Sequence, residues 1–251
     1  MSMHIPTPLH LAACVLALAA GVAHAAAFQP APPAQLHYAV KARQRGFDLT
    51  GASIVNWQAQ DGKYRVQAET STSLFGRIVE SSSEGAIDEQ GLAPAVSTEK
   101  RIRKAQTTAT FRRDSKVIAF SDSGETHPLK GGEQDRDSIL WQIAGQARAN
   151  PGRFAKGSEH SYVVAGPRRA DTWRFRVVGP EKVVTPHGAH NTVHLTRVPA
   201  DRSQEQQVDV WFAQDLEWYP VRLRYTDQDG DYIEQTLERV AAKQTTKTEQ
   251  P

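Results

Sequence analysis

Hydrophobic and polar residues alternate along most of the chain between residues 35 and 241. Leu36, Tyr38 and Val40 are separated by more polar or smaller residues. The same period recurs in three later runs, whose apolar positions are Trp173, Phe175 and Val177, then Val208, Val210 and Phe212, and finally Val221, Leu223 and Tyr225. A period of two is typical of β-strands that bury one face. The pattern predicts a single, mainly β domain over residues 35–241.

Short turn sequences separate these runs. Asp61-Gly62 is typical of a two-residue hairpin turn. Similar short connections stand at residues 114–116, 186–188 and 227–231. A parallel pair of strands needs a crossover of roughly a dozen or more residues, so these connections favour antiparallel pairing. The sequence therefore predicts an antiparallel sheet of about ten strands.

Residues 135–148 interrupt the alternation. Their apolar positions have helical spacing and are Ile139, Leu140, Ile143, Ala144 and Ala147. Asp135 or Asp137 can cap the start of this helix, and Asn150-Pro151-Gly152 is typical of a helix end. We expect one short helix near residues 137–149, covering the mouth or one face of the sheet.

The N-terminal residues predict export. The uncharged run Leu11–Ala23 is shorter than the roughly 20 apolar residues of a membrane span, but it suits a signal peptide. Ala23-His24-Ala25 predicts cleavage after Ala25, with a second register after Ala27. We interpret residues 1–25 as a signal peptide, 26–34 as an Ala/Pro-rich tether and 242–251 as a disordered polar tail. The mature protein is then periplasmic and has no transmembrane segment.

Two other interpretations of the N-terminus fit the sequence less well. One is a buried N-terminal helix, which the Ala-rich composition and the following Pro-rich stretch disfavour. The other is a lipobox ending at Cys14, but the apolar run continues to Ala23, well beyond this cysteine. With a signal peptide, the only cysteine of the chain is removed. Thiol catalysis and thiolate metal sites are then excluded from the mature domain.

Charge excludes one class of partner. The chain has 30 Lys and Arg against 28 Asp and Glu, a formal charge of +2 at pH 7. A nearly neutral protein has no overall field to attract nucleic acid, so we expect no nucleic-acid partner. Basic clusters at residues 100–104, 112–113 and 168–169 are interpreted as solvated faces of strands and turns.

Motifs of catalysis and metal binding are missing from the sequence, which has no Gly-x-Ser-x-Gly, no Gly-rich phosphate loop and no His-Glu-x-x-His. His187, His190 and His194 are the best metal candidates, but no carboxylate is close to them in sequence. We therefore expect no metal and no cofactor. Asp137 is interpreted as a helix cap or, alternatively, as an acid.

Aromatic residues are more informative. The chain has five Trp, and most aromatic side chains of such a domain fill its core. Large aromatics on the concave side of a curved sheet can also bind an apolar ligand. We predict Trp57, Trp211 and Tyr38 as ligand contacts.

Several sequence stretches resemble the bacterial exported family known as domain of unknown function 3108. They cover nearly the whole mature chain and are Leu36–Val40, Arg45-Gly46, Asp137–Leu140, Phe175–Gly188, Val208–Phe212 and Tyr219–Arg222. The resemblance implies a strongly curved antiparallel sheet or half-barrel, similar in style to lipoprotein carriers. The family supplies no catalytic residues, and His187 departs from its usual small residue.

These observations favour a non-catalytic domain that binds an apolar or amphipathic envelope molecule, such as a lipid, or a segment of an envelope protein. Two alternatives remain open. One is a structural or interaction scaffold without a small ligand. The other is a hydrolase that pairs Asp137 with His160 or His187, although no spacing in the sequence forces these groups together.

Overall fold

The structure is a computed structural model that describes residues 28–198 and 206–242. The predicted signal peptide, its cleavage sites, Cys14 and all but the first residue of the predicted tail lie outside these ranges. The fifteen strands of the described residues are β1 Ala34–Gln44, β2 Phe47–Gln60, β3 Lys63–Thr72, β4 Gly76–Asp88, β5 Gly91–Arg101, β6 Thr107–Arg112, β7 Val117–Phe120, β8 Thr126–Pro128, β9 Gln134–Asp135, β10 Glu159–Ala165, β11 Ala170–Thr185, β12 Gly188–Val198, β13 Gln207–Ala213, β14 Pro220–Thr226 and β15 Tyr232–Ala242.

All fifteen strands form one sheet. Strands β1 to β8 pair in sequence, as do β10 to β15, and β15 pairs with β1, so the two ends of the domain meet in the middle of the sheet. Pairing is antiparallel except for the two-residue β9, which runs parallel to β10. β8 and β9 are the free edges, so the sheet is not closed.

The predicted mainly β, curved antiparallel sheet with one helix is confirmed. The predicted number of about ten strands is too low. Strands β7, β8 and β9 have only four, three and two residues. Strands this short have too few positions to show a recognisable alternation.

The single α-helix of the described residues, α1 Ser138–Ala149, lies against the concave face of the sheet. Its residues Ile139, Ile143, Ala144 and Ala147 are fully buried and pack in one cluster with Phe175, Val210 and Phe212 of the C-terminal strands. Trp141, also on α1, stacks on Trp57 of β2 and contacts Tyr219, in the turn before β14, edge-on. The sheet must therefore curve around the helix. A 3-10 helix, Pro151–Phe154, follows at the predicted helix end.

The meander defines two ends of the sheet, because alternate turns of an antiparallel sheet lie at the same end. We call one end the mouth end, with turns at residues 45–46, 73–75, 102–106, 166–169 and 227–231. The opposite, helix end has turns at residues 61–62, 89–90, 113–116, 186–187 and 214–219. The backbone N–H of Arg45 donates to Asp231 Oδ2 at 2.6 Å and so ties two mouth-end turns together.

Inward-facing side chains are larger at the helix end than at the mouth end. Along β2 they are Trp57, Val55 and Ser53, and along β3 they are Tyr64, Val66, Ala68 and Thr70. Trp57 and Tyr64 fill their end of the concave face together with α1. The small residues nearer the mouth leave space above the start of the helix.

Residues 28–34, the described part of the predicted tether, contact the domain directly. From Phe28 onwards the segment packs on the domain: the Gln29 N–H donates to the Gly145 carbonyl at 2.9 Å. The Ala31 carbonyl accepts the indole N–H of Trp57 at 2.9 Å, and the Pro32 carbonyl accepts the Tyr219 hydroxyl at 2.8 Å. Buried aromatic donors need such acceptors, which holds this Pro-rich segment in place.

Candidate functional site

A cavity of about 470 Å³ opens at the mouth end, between the two halves of the sheet. Its floor is the first turn of α1, where Leu140 and Trp141 face it. The apolar part of its wall comprises Tyr38, Val55, Val66, Ala68, Val79, Trp173, Val208, Leu223, Tyr225 and Ile233, and its uncharged polar part comprises Ser53, Thr70, Ser81, Gln206 and Gln235. Volumes of about 300–1,000 Å³ are usual for small-molecule sites.

The entrance of this cavity is charged. It continues into a second depression of about 700 Å³, and Arg136 and Trp173 line both. The two hollows together have six basic side chains, Arg101, Lys104, Arg136, Arg168, Arg169 and Arg197, against four acidic ones, Glu99, Asp122, Asp137 and Asp171.

Ion pairs neutralise some of these basic side chains. Arg101 Nε lies 2.8 Å from Glu99, and Arg169 Nε lies 2.9 Å from Asp171. Within the part of the chain that the structure describes, the Arg136 guanidinium forms neither an ion pair nor a hydrogen bond. The entrance thus keeps a positive charge that faces solvent.

Two aspartates mark the start of α1. The side chain of Asp135 is fully buried and accepts three hydrogen bonds: Ser83 Oγ donates at 2.6 Å, and the backbone N–H groups of Asp137 and Ser138 each donate at 2.9 Å. Asp135 is therefore the helix cap. Asp137 stands at the N-cap position but makes no side-chain cap bond, so the prediction of a cap at Asp137 is corrected. Its carboxyl group instead accepts the Ser81 hydroxyl at 2.8 Å.

Burial shifts the titration of both groups. Desolvation, together with the negative charge of Asp135, raises the pKa of Asp137 to about 7. Desolvation also raises the pKa of Asp135, while the hydrogen bonds from Ser83 and the helix backbone act in the opposite direction. The cavity therefore contains a carboxyl group that changes its charge near neutral pH.

Of the three predicted ligand contacts, the structure brings Tyr38 to the cavity. Its side chain lines the wall, and its hydroxyl donates to the Pro220 carbonyl at 2.8 Å. Trp57 lies behind the wall, fully buried and stacked on Trp141 with ring centroids 4.3 Å apart. It holds Trp141 in place and is not itself a cavity residue.

Trp211 lies on the convex face of the sheet. Its cross-strand partners are His194 and Arg222, and its ring stacks on His194 with ring centroids 4.2 Å apart. Its indole N–H donates to Glu181 Oε2 at 2.7 Å. The neighbouring residues Val210 and Phe212 point inward instead, because successive side chains of a strand face opposite sides of the sheet. Trp211 therefore does not line the mouth-end cavity.

Sequence reasoning misses Arg136, Trp141, Trp173 and Tyr225 as cavity residues. Alternation identifies Trp173 and Tyr225 as strand positions that share a face with their apolar neighbours. No feature of the local sequence distinguishes an inward side chain that packs in the core from one that lines a cavity. The smaller inward side chains at the mouth end of β2 and β3 are the available signal.

The basic clusters at residues 100–104 and 168–169 are solvent-exposed, as predicted, and they also border the cavity entrance. The sequence predicts that residues 100–104 and 168–169 lie on solvated faces of strands and turns. In the structure, the basic side chains that border the entrance include Arg101, Lys104, Arg168 and Arg169.

The histidines of the described residues lie away from the cavity lining. His160 stacks on Phe154 with ring centroids 4.3 Å apart, and His187 Nδ1 lies 3.1 Å from His190 Nε2. Neither His160 nor His187 lines the cavity with Asp137. Within residues 28–198 and 206–242, no group of three or more His, Cys, Asp or Glu side chains is arranged to hold a metal ion.

The histidines of β12 have carboxylate partners that the sequence does not place beside them. Asp209 Oδ1 is 3.0 Å from His194 Nε2, and Asp215 Oδ1 is 3.4 Å from His190 Nδ1. Pairing of β12 with β13, and the turn that follows β13, bring these distant residues together.

Fold and cavity define the class: an unclosed, curved antiparallel sheet with one helix inside and a cavity at one end. The chain belongs to the family described as protein of unknown function, DUF3108, whose model matches residues 35–238. No curated protein sequence matches it significantly. Within residues 28–198 and 206–242, no helix has the length and apolar composition needed to cross a membrane.

A solved structure shares the fold. A β-barrel-like protein of domain of unknown function DUF1849 from Brucella abortus is similar over 87% of this chain and 100% of its own, with a TM-score of 0.57 and 12% identity. A more distant similarity is to the lipoprotein LppX from Mycobacterium tuberculosis, over 83% of this chain and 90% of its own, with a TM-score of 0.26 and 16% identity.

Proposed function

We propose that this protein is exported to the bacterial periplasm and binds an amphipathic molecule of the cell envelope, of the lipid class, in the mouth-end cavity. The observation that carries the proposal is the division of the cavity into an apolar wall and a basic entrance. A scaffold that only packs against other proteins has no need of an inward-facing hollow of this kind.

The wall supplies the affinity. Val55, Val66 and Leu223 face the space from both halves of the sheet. Burying apolar surface contributes about 0.8 kcal/mol for each methylene group removed from water. An alkyl chain above Trp141 would therefore be held mainly by the hydrophobic effect.

The entrance selects the polar group. Arg136 lies beside the start of α1 and has no ion-pair partner among the described residues. A guanidinium binds carboxylate or phosphate through charge-assisted hydrogen bonds. We infer that the polar end of the ligand is acidic and lies at this arginine.

The test is native mass spectrometry, with lipid extraction, of protein purified from a bacterial periplasm. Ala68→Phe places a ring in the cavity, and Ala52→Phe makes the same change at an exposed position of β2 and serves as the control. We expect lipid to copurify with the wild type and with Ala52→Phe, and to be lost from Ala68→Phe. A clean apo mass for the wild type, or equal lipid in both variants, would favour the scaffold alternative.

Export is tested separately by N-terminal sequencing of the periplasmic protein. The mature chain should begin at Ala26 or Phe28, because these residues follow the two predicted cleavage sites. A mature chain that retains Leu11, or one that carries a lipid on Cys14, contradicts the signal-peptide prediction.

A further inference from the structure

Four large apolar side chains are exposed at the mouth end. Phe47 is 72% exposed, Leu74 72%, Phe75 60% and Ile102 44%. They lie in or beside three of the mouth-end turns, at residues 45–46, 73–75 and 102–106. Among the described residues, the other large exposed apolar side chains are Val178 and Val184, both on β11. Apolar exposure is thus concentrated at one end.

Strand register places these turns side by side. Thr72 pairs with Gly51 across one ladder and with Gly76 across the next, so the second turn lies beside β2 at Gly51, and residues 47–50 carry the first turn further out. The Ile102 N–H donates to the Ile78 carbonyl at 2.8 Å, which brings the third turn beside the second. Neighbouring strands are about 4.8 Å apart. The four side chains therefore stand on three adjacent hairpin tips that protrude to different heights, and we call this set the apolar rim.

Basic residues accompany the apolar rim. Arg45 lies two residues before Phe47, and Arg103 and Lys104 follow Ile102 directly, whereas Asp48 and Asp231 are the acidic neighbours of the first turn. None of these three basic side chains forms an ion pair with a residue of the described ranges. Lys104 also borders the cavity entrance.

We propose that the apolar rim docks on an anionic lipid bilayer. Apolar side chains on protruding tips can enter the region between headgroups and acyl chains, while neighbouring Lys and Arg contact acidic headgroups. Both components are present at the rim, and both lie at the same end of the sheet. Docking in this orientation turns the cavity entrance towards the bilayer. The proposal is independent of whether the cavity itself binds a ligand.

The form of the surface favours a bilayer over a protein partner. The side chains of Leu74 and Phe75 stand on a hairpin tip that the Phe75 N–H bond to Thr72 Oγ1, at 3.2 Å, helps to define. Separate tips form neither a continuous patch nor a groove, which protein interfaces require for close packing. A fluid bilayer adapts to separate tips.

The test is cosedimentation of the mature protein with phosphatidylcholine vesicles and with vesicles that also contain phosphatidylglycerol. The double variant Leu74→Ser/Phe75→Ser removes apolar side chains from the rim. Val184→Ser removes one that is 73% exposed at the helix end, and serves as the matched control. We expect the wild type and Val184→Ser to sediment with the anionic vesicles, and the double variant to bind at least about tenfold more weakly.

A second variant tests the charges. Arg103→Gln/Lys104→Gln should reduce binding to anionic vesicles and leave the small binding to neutral vesicles unchanged. Thermal unfolding monitored by circular dichroism checks that every variant is folded. The proposal fails if the wild type stays in the supernatant, or if the rim variant and Val184→Ser bind alike. It also fails if the wild type is a dimer without vesicles and the rim variant is a monomer, because the rim would then be a self-association surface.

Discussion

The helix end and the mouth end of this sheet are built from the same strands but are filled in different ways. At the helix end, Trp57 and Tyr64 pack with Trp141 of α1 and fill the concave face. At the mouth end, the same two strands present Ser53 and Ala68 to an open cavity. The cavity ends at α1, because the first turn of this helix forms the cavity floor.

Because of this difference, the residues that stabilise the fold and those proposed to bind a ligand lie at opposite ends of one concave face. A curved sheet with one filled end has a core large enough to fold. The other end can then carry polar and charged groups, such as Asp137 and Arg136, that would be costly to bury in a packed core. Changes at the helix end should therefore alter the free energy of unfolding, and changes at the mouth end should alter binding.

The largest expected effect is that of Trp57→Ala. The side chain is fully buried and stacked on Trp141, so its removal leaves a cavity and should reduce the free energy of unfolding by about 3–5 kcal/mol. Trp173→Ala should cost less, because one side of that ring borders the open cavity. Urea unfolding of both variants checks this order. Equal losses would mean that the two ends are packed alike.

An intermediate effect is expected from enlarging an alanine at each end. Ala144 on α1 is fully buried in the core, so Ala144→Leu should overpack it and cost about 1–3 kcal/mol. Leu and Ala have similar helix propensities, so the loss would reflect packing. Ala68→Leu extends into the cavity and should change the free energy of unfolding by less than about 1 kcal/mol. Urea unfolding measures both variants. A larger loss of unfolding free energy for Ala68→Leu than for Ala144→Leu would contradict the conclusion that the mouth end is less tightly packed than the helix end.

The smallest effect concerns pH. The pKa of Asp137 rises from 3.8 to about 7 on folding, so the folded state keeps a proton that the unfolded chain has lost. The free energy of unfolding should therefore fall as pH increases from about 4 to about 7. Asp137→Asn removes this dependence.

Between pH 5 and pH 8, the wild type should lose about 1–2 kcal/mol relative to Asp137→Asn, a value reduced because solvent screens this partly exposed group. Urea unfolding at several pH values measures the difference between the two proteins. A difference that is constant with pH would show that Asp137 has an ordinary pKa.

Local sequence determined much of the fold. Alternation predicted the strands that carry Tyr38, Trp173 and Leu223, because a strand with one buried face needs a period of two. The helical spacing of Ile139 and Ile143 predicted α1 nearly to the residue. Turn residues predicted the hairpins and so the antiparallel pairing. The family resemblance covered the same chain that the family model matches.

Tertiary structure alone decided which inward positions border a cavity. Trp57 and Tyr38 are both inward-facing aromatics, yet the position of α1 covers the first and leaves the second at the wall. Curvature of the sheet brings Arg101 and Arg169 to one entrance, although β5 and β10 lie near opposite edges of the sheet. Alternation states only which face of a strand is buried. What lies opposite that face depends on how far the sheet bends and where the helix stops, and both depend on contacts between residues far apart in the chain.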